Sequence, residues 1–181
     1  MEIIFIRHEV AEAGLENLPD LERRLTQVGQ ERSQAAAAKL AEHLKQATKK
    51  QKPHIWSSPA LRAQETAQPL ADVLKLSGTQ LQEFIYTGEF EKLTVALEEL
   101  PQATETLLVV GHEPTLSNWI HKLTGETVKM KKGAMASVTL SKQEGQAIAG
   151  LYQGEIYGAK RAQRAAVLFR SCSFFLQTIL F

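Results

Sequence analysis

Three short segments of this chain carry the residues best suited to chemistry: Arg7-His8, Ser58 with Arg62, and Gly111-His112. Each follows an apolar run and precedes a stretch with helical spacing, in IIFI-RHEVA, HIW-SSPALR and LLVV-GHEPTLS. In an open α/β sheet, ligands bind beyond the carboxyl ends of the strands, so the three loops would share one edge. Arginine presents a planar fork that matches phosphate oxygens two at a time. Helix N-termini add free N–H groups and a positive partial charge. Two arginines and two histidines brought together there describe an anion site, and phosphate is its natural guest. One histidine could attack phosphorus through a neutral ring nitrogen, while the other, protonated, could stabilise charge on the transferring group. Taken singly, each residue has a plainer reading. A histidine just after a buried strand is often a capping or core residue, and Arg62 alone is a solvated helix residue. The joint occurrence at three strand ends is what carries the inference.

Competing motifs fail on inspection. His8-Glu9 and His112-Glu113 both begin like a zinc-protease helix, but that motif needs a second histidine four residues on. Those positions hold Glu12 and Leu116. The sequence has no phosphate-binding glycine loop, no dinucleotide fingerprint and no serine in a G-x-S-x-G elbow. Cys172 lies in an apolar tail without the basic neighbours that activate a thiolate. Neither a metal nor a cofactor is called for.

The elements that must hold these residues follow from periodicity. Ile3 to Ile6 is a continuous β-branched and aromatic run, as in a strand buried on both faces. After an acidic loop with Pro19, the residues Leu25, Val28, Ala35, Ala36, Leu40 and Leu44 predict a long amphipathic helix opened near Thr26. The polar run at 45–53 reads as a helix end and a loop. A strand His54-Ile55-Trp56 leads into Ser57-Ser58-Pro59, where Ser58 is expected as N-cap and Pro59 at the first helical position. Ala60, Ala63, Ala67, Leu70, Ala71 and Leu74 mark the buried face of the helix that follows. A weaker strand is expected within 79–86. Phe90, Leu93, Leu97 and Leu100 give a third helix that Pro101 would end. Leu107 to Val110 is another apolar strand, followed by a helix with Leu116, Trp119, Ile120 and Leu123 inward. Ala136 to Leu140 alternates as a strand. Ser141 to Gly145 is a polar turn, after which Ala147 to Leu151 could return antiparallel to that strand. This order predicts a three-layer α/β/α sandwich with a mainly parallel central sheet.

Bulk properties agree with one ordinary globular domain spanning 1–181. The chain has 181 residues, 44% hydrophobic and 23% charged, so it can bury a real core. Lys plus Arg number 21 against 20 Asp plus Glu, for a net charge of +1. That balance gives no support to nucleic-acid binding. A single cysteine permits a reducing compartment. The apolar run at the N-terminus is too short for a signal peptide and no run is long enough to span a bilayer, so the cytoplasm is the expected location.

At the segments RHEVA (7–11), RRLTQVG (23–29), SSPALRAQETA (57–67), GHEPTLS (111–117) and MASVTL (135–140), the sequence resembles the histidine phosphatase superfamily. This is branch 1 of the phosphoglycerate mutase-like fold, and within it the likeness is to the SixA-type phosphohistidine phosphatases. The segments occur in the family's order and span roughly residues 2 to 151. The resemblance implies that His8 is the nucleophile, passing through a phosphohistidine intermediate, and that Arg7, Arg62 and His112 complete the phosphate pocket. Arg23 matches the family arginine before Leu-Thr, with Arg24 beside it leaving the register open, and would also bind phosphate. Ser58 would cap the helix that carries Arg62. The chain departs from the family at Glu9, where glycine usually follows the Arg-His pair. A carboxylate there could repel phosphate, or point away and pair with an arginine. Glu83, in QLQEF, lies near the place of the general acid that protonates an ester leaving group in other members; its plainer reading is a surface glutamate.

The resemblance implies a metal-independent hydrolase that removes phosphate from phosphohistidine in a protein. The expected partner is a phosphorylated protein such as a histidine phosphotransfer domain. An imidazole is a better leaving group than an alkoxide and needs less help from an acid, and short loops leave little chain for a lid over a small molecule. The alternatives are a phosphatase or mutase for a small phosphoester or nucleotide, and a phosphate-binding module without catalysis. The likeness stops near 151. Residues 152–181 form an atypical C-terminal segment, too interrupted by Arg170, Ser171, Ser173 and Gln177 to span a membrane, and membrane contact is not expected.

Overall fold

A computed structural model of the chain describes residues 1–14, 16–47, 51–140, 146–151 and 163–168. Its centre is a five-stranded sheet in the order β3-β2-β4-β1-β5. The strands are β1 (Glu2–Arg7), β2 (His54–Ser57), β3 (Gln80–Leu81), β4 (Thr106–Gly111) and β5 (Met135–Thr139). The first four run parallel, and β5 pairs antiparallel with β1. The mainly parallel α/β architecture expected from the apolar runs is therefore present.

Alternation along each strand sorts side chains to the two faces. Ile4 and Ile6 of β1, with Leu108 and Val110 of β4, pack on Ala37, Leu40 and Leu44 of helix α1 (Gln27–Ala47) and on Ala63, Ala67, Leu70 and Ala71 of α2 (Leu61–Leu74). Ile3, Phe5, Leu107 and Val109 face the other way. They meet α3 (Glu83–Thr87), α4 (Phe90–Glu99) and α5 (Thr115–Thr124), with Trp56 and Trp119 filling that layer. Two helices cover one face and three the other, as in the expected three-layer sandwich.

Several local expectations need correction. Val28 is 49% exposed and Ala35 also faces solvent. The buried stripe of α1 instead runs through Gly29, Ser33, Ala37, Leu40, Ala41 and Leu44, and Ser33 is satisfied by donating to the Thr66 carbonyl at 3.1 Å. Thr26 does open α1, its Oγ1 accepting from Gly29 N–H at 3.1 Å. The expected cap at Ser58 is not made. Ala60 is the N-cap of α2 and no side chain caps it. The strand expected within 79–86 shrinks to Gln80–Leu81, because Phe84 and Ile85 are buried by helical rather than alternating spacing. Ala136, Ser137 and Val138 are all buried, so β5 is not an alternating strand. Ala147 to Leu151 falls within β6 (Gln146–Leu151), which pairs antiparallel with β7 (Gln163–Leu168) in a separate two-stranded sheet. The predicted turn at 141–145, and 152–162 and 169–181 of the C-terminal segment, including Cys172, lie outside the described residues.

Candidate active site

Parallel register brings the strand ends together. Arg7 pairs with Gly111, and Ser57 with Val110, so β1, β4 and β2 finish side by side. The next residues are stitched across the ends: His8 N–H donates to the Gly111 carbonyl and Ser58 N–H to the Val110 carbonyl, both at 3.0 Å. His8 and His112 consequently face one another, ring centroids 5.1 Å apart and tilted by 56°. Gly111 suits this position because a Cβ there would come within 2.7 Å of Ile85 Cγ2, the side chain that seats α3 against the end of β4.

Both histidines are buried, and burial shapes their chemistry. His8 Nδ1 lies 2.7 Å from the Glu9 carbonyl oxygen. A carbonyl only accepts, so Nδ1 carries the proton and a neutral ring has its lone pair on Nε2. Desolvation, followed by the charges of Arg62, Arg7 and Lys132, lowers the His8 pKa to about 4, against the opposing pull of the Glu9 hydrogen bond. His112 Nε2 lies 2.7 Å from Ser58 Oγ. That hydroxyl also accepts from Ala60 N–H at 3.3 Å. Its proton can then go to Nε2, which leaves the proton of the neutral ring on Nδ1. Desolvation, Arg62, His8 and Arg7 lower the His112 pKa to about 3, with Asp20 opposing. Burial, with two guanidinium groups nearby, therefore favours the neutral ring of His112 near pH 7.

Arg62 is buried near the start of α2, and a residue that sequence reasoning overlooked anchors it. The Asp20 carbonyl accepts from Arg62 Nη1 at 2.5 Å and Asp20 Oδ2 from Nη2 at 2.7 Å. Asp20 Oδ1 accepts from Arg23 Nη1 at 2.8 Å, and the Tyr86 hydroxyl donates to Oδ2 at 3.1 Å. Outweighing desolvation, these hydrogen bonds with the charge of Arg62 hold the Asp20 pKa at about 2. Arg23, expected on the phosphate, also donates from Nε and Nη2 to the Glu12 carbonyl, at 3.0 and 2.8 Å. It reaches the site through Asp20. Its neighbour Arg24 turns outward to pair with Glu65 at 2.9 Å. Ser58, also expected on the phosphate, is engaged with His112.

Arg7 donates from Nη1 to the Met130 carbonyl at 2.8 Å, while its Nε and His112 Nδ1 are buried without hydrogen-bond partners among the described residues. Tyr86, the second overlooked residue, stands edge-on to His112 with centroids 5.7 Å apart. Its helix α3 begins at Glu83, which is exposed and makes no side-chain hydrogen bond or ion pair among the described residues. Among the described residues the Glu9 carboxylate pairs with no arginine. Its Oε2 accepts from Val10 N–H at 3.2 Å, and the side chain lines a cleft with Ser33, Thr66, Leu70 and Gly133. None of Arg7, His8, Arg62 or His112 lines that cleft.

The sequence model of the Histidine phosphatase superfamily (branch 1) matches residues 3–129, well over half of the chain. The chain belongs to the histidine phosphatase superfamily. A curated relative, an uncharacterized protein of Picosynechococcus sp., is 30% identical over 144 residues, covering 75% of this chain and 82% of its own. Among solved structures, the protein histidine phosphatase SixA complexed with tungstate is 28% identical with a TM-score of 0.66, covering 78% of this chain and 90% of that one. Two others share the fold. A putative phosphohistidine phosphatase SixA from Agrobacterium tumefaciens has TM-score 0.64 and 18% identity over 76% and 90% of the two chains. A putative alpha-ribazole-5'-P phosphatase from Escherichia coli has TM-score 0.66 and 17% identity over 88% and 99%. As a member of this superfamily the protein is a phosphatase, and its neighbours' substrates differ.

Proposed function

We propose that this phosphatase removes phosphate from phosphohistidine in a protein, through a phosphohistidine on His8, in the cytoplasm. The observation that carries the reading is the state of His8: buried, neutral, with Nδ1 pinned and Nε2 bare. Nε2 attacks phosphorus in line, forming a P–N bond as the substrate's P–N bond breaks. Arg7 and Arg62 hold the phosphoryl oxygens, and His112 Nδ1–H supplies a further donor. The leaving imidazole takes a proton from solvent. Water then attacks phosphorus, releasing phosphate and regenerating His8.

The carboxylates around the site favour a nitrogen leaving group. An ester oxygen leaves well only when an acid protonates it. Asp20 is held ionised by Arg62 and Arg23, Glu9 faces its own cleft, and Glu83 stands in solvent. None is set up as a proton donor, and an imidazole makes the smallest demand for one. The expected partner is a phosphorylated protein such as a histidine phosphotransfer domain. Initial rates on such a domain and on a panel of small phosphate esters test this: the domain should turn over faster, and rapid turnover of an ester with none of the domain would overturn the substrate assignment. Quenching with alkaline detergent during turnover should trap alkali-stable, acid-labile phosphate on the wild type and none on His8→Ala. No trapped phosphate together with no turnover of any substrate would favour a phosphate-binding module instead.

A further inference from the structure

Glu9 follows the nucleophile, is buried, and is held from four directions. Its carbonyl accepts from His8 Nδ1 at 2.7 Å, and its N–H donates to Thr66 Oγ1 at 3.2 Å. Its Oε2 accepts from Val10 N–H at 3.2 Å. The same carboxylate lies against Gly133, where a Cβ would collide with it. The first and third of these contacts fall on one planar group. The Glu9 carbonyl and the Val10 N–H are opposite ends of a single trans peptide. One end receives the His8 proton, and the other is bound by the side chain of Glu9 itself. A rigid plane pinned at both ends cannot turn about its own axis without breaking a hydrogen bond.

The surroundings fit this clamp. The Val10 carbonyl accepts from Thr26 N–H at 2.9 Å and from Thr26 Oγ1 at 3.1 Å, so the next residue is tied to the start of α1. Gly133, with φ +72°, donates its N–H towards the Arg7 and His8 carbonyls at 3.2 Å, and its missing side chain leaves room for the carboxylate. An anion on the N–H end of an amide also polarises it and makes its oxygen a stronger acceptor. Where glycine follows the Arg-His pair, a carboxylate clamp of this kind has no counterpart.

We propose that Glu9 is a positioning residue whose carboxylate clamps the Glu9–Val10 peptide and so holds His8 in the tautomer with Nδ1 protonated and Nε2 bare. Its consequence for turnover rests on the reading of His8 as nucleophile; the tautomer itself does not. The test compares wild type with Glu9→Met, which keeps the bulk but loses the acceptor oxygen, and Glu9→Gln, which keeps it. Nitrogen-15 spectra of histidine-labelled protein at pH 7.5 report both ring nitrogens of His8 without any substrate. Wild type and Glu9→Gln should show a bare Nε2, while Glu9→Met should show a mixture of tautomers. With p-nitrophenyl phosphate, Glu9→Met should lose about tenfold in kcat, the order expected for one lost orienting hydrogen bond, at nearly constant KM. Glu9→Gln should recover most of it. An unchanged His8 tautomer in Glu9→Met, or equal shifts in the two variants, would overturn the proposal. A tautomer shift in a protein whose wild type never forms phosphohistidine leaves the clamp standing and removes the proposed function instead.

Discussion

Lowering the pH from 6 to 5 should destabilise this fold by about 2 kcal/mol through His8 and His112 alone. Both are buried and both are held far below the ordinary histidine value of 6.5, at about 4 and about 3. In the unfolded chain each titrates normally, so between pH 6 and 5 the unfolded state binds protons that the folded state refuses. Stability therefore rises with pH across this window, is fully present above about 6.5, and drains away as pH falls towards 4. Integrating the difference in bound protons gives about 1 kcal/mol per histidine over that single pH unit. The assay is urea unfolding at both pH values for wild type and for a double variant, His8→Asn with His112→Gln. Asparagine can still donate to the Glu9 carbonyl and glutamine can still meet Ser58, so the hydrogen bonds survive while the titration does not. The variant's stability should change less between the two pH values by about 2 kcal/mol. Equal pH dependence in the two proteins would refute the claim that the site is kept neutral, and with it the ground for a bare Nε2.

Other outcomes follow from the same contacts. With His8 already neutral, kcat/KM of the free enzyme should stay level from pH 8 down to about 5, with its acidic limb near 4 rather than 6.5; a limb at 6.5 would contradict the burial argument. Arg62→Lys keeps the charge but loses the fork that meets both the carbonyl and the carboxylate of Asp20, so kcat/KM should fall by about a hundredfold. Asp20→Ala leaves that fork unanchored and a buried guanidinium without its carboxylate, so kcat/KM should fall about tenfold and the melting temperature should fall with it. Gly133→Ala combines a left-handed backbone with a collision against Glu9, so its melting temperature should drop by several degrees. Part of that loss should return in a Glu9→Gly background. Steady-state rates should be the same before and after treatment with a chelator, because every step is assigned to side chains and water.

The layered fold was legible because its strands are short apolar runs and its helices carry apolar residues at regular spacing. Ile3 to Ile6 and Leu107 to Val110 had no other good reading. Errors arose where burial is achieved without apolar side chains. Gly29 and Ser33 line the inner face of α1, and their small or hydrogen-bonded side chains shifted the stripe away from Val28. Ser58 reads as a cap because serine before proline commonly is one, but the helix starts two residues later at Ala60, and the Ser58 hydroxyl serves His112 as well as the Ala60 N–H. The site arginines and histidines could be found from their strand ends, whereas Asp20 and Tyr86 could not. Both lie outside the three loops and reach Arg62 and His112 from a single 3-10 turn (Asp20–Glu22) and a short helix. One clue was present: an arginine that must be buried needs a carboxylate, and the segment next to Arg23 contains an aspartate three residues earlier. The direction taken by Glu9 was undecidable from sequence, since it depends on the room left by a glycine more than a hundred residues away.

The pairing of Arg7 with Gly111 has a further consequence. Because β1 and β4 are immediate neighbours, the two histidines that follow them are separated by one strand-to-strand step, about 4.8 Å in any sheet. The 5.1 Å between their rings is close to that repeat. The gap across which phosphorus would be handled is thus gauged by backbone hydrogen bonds, which no single side-chain substitution resets. Evolution can rewrite the loops, the lids and the rim that choose a substrate, while the sheet goes on ruling the same width between the two rings.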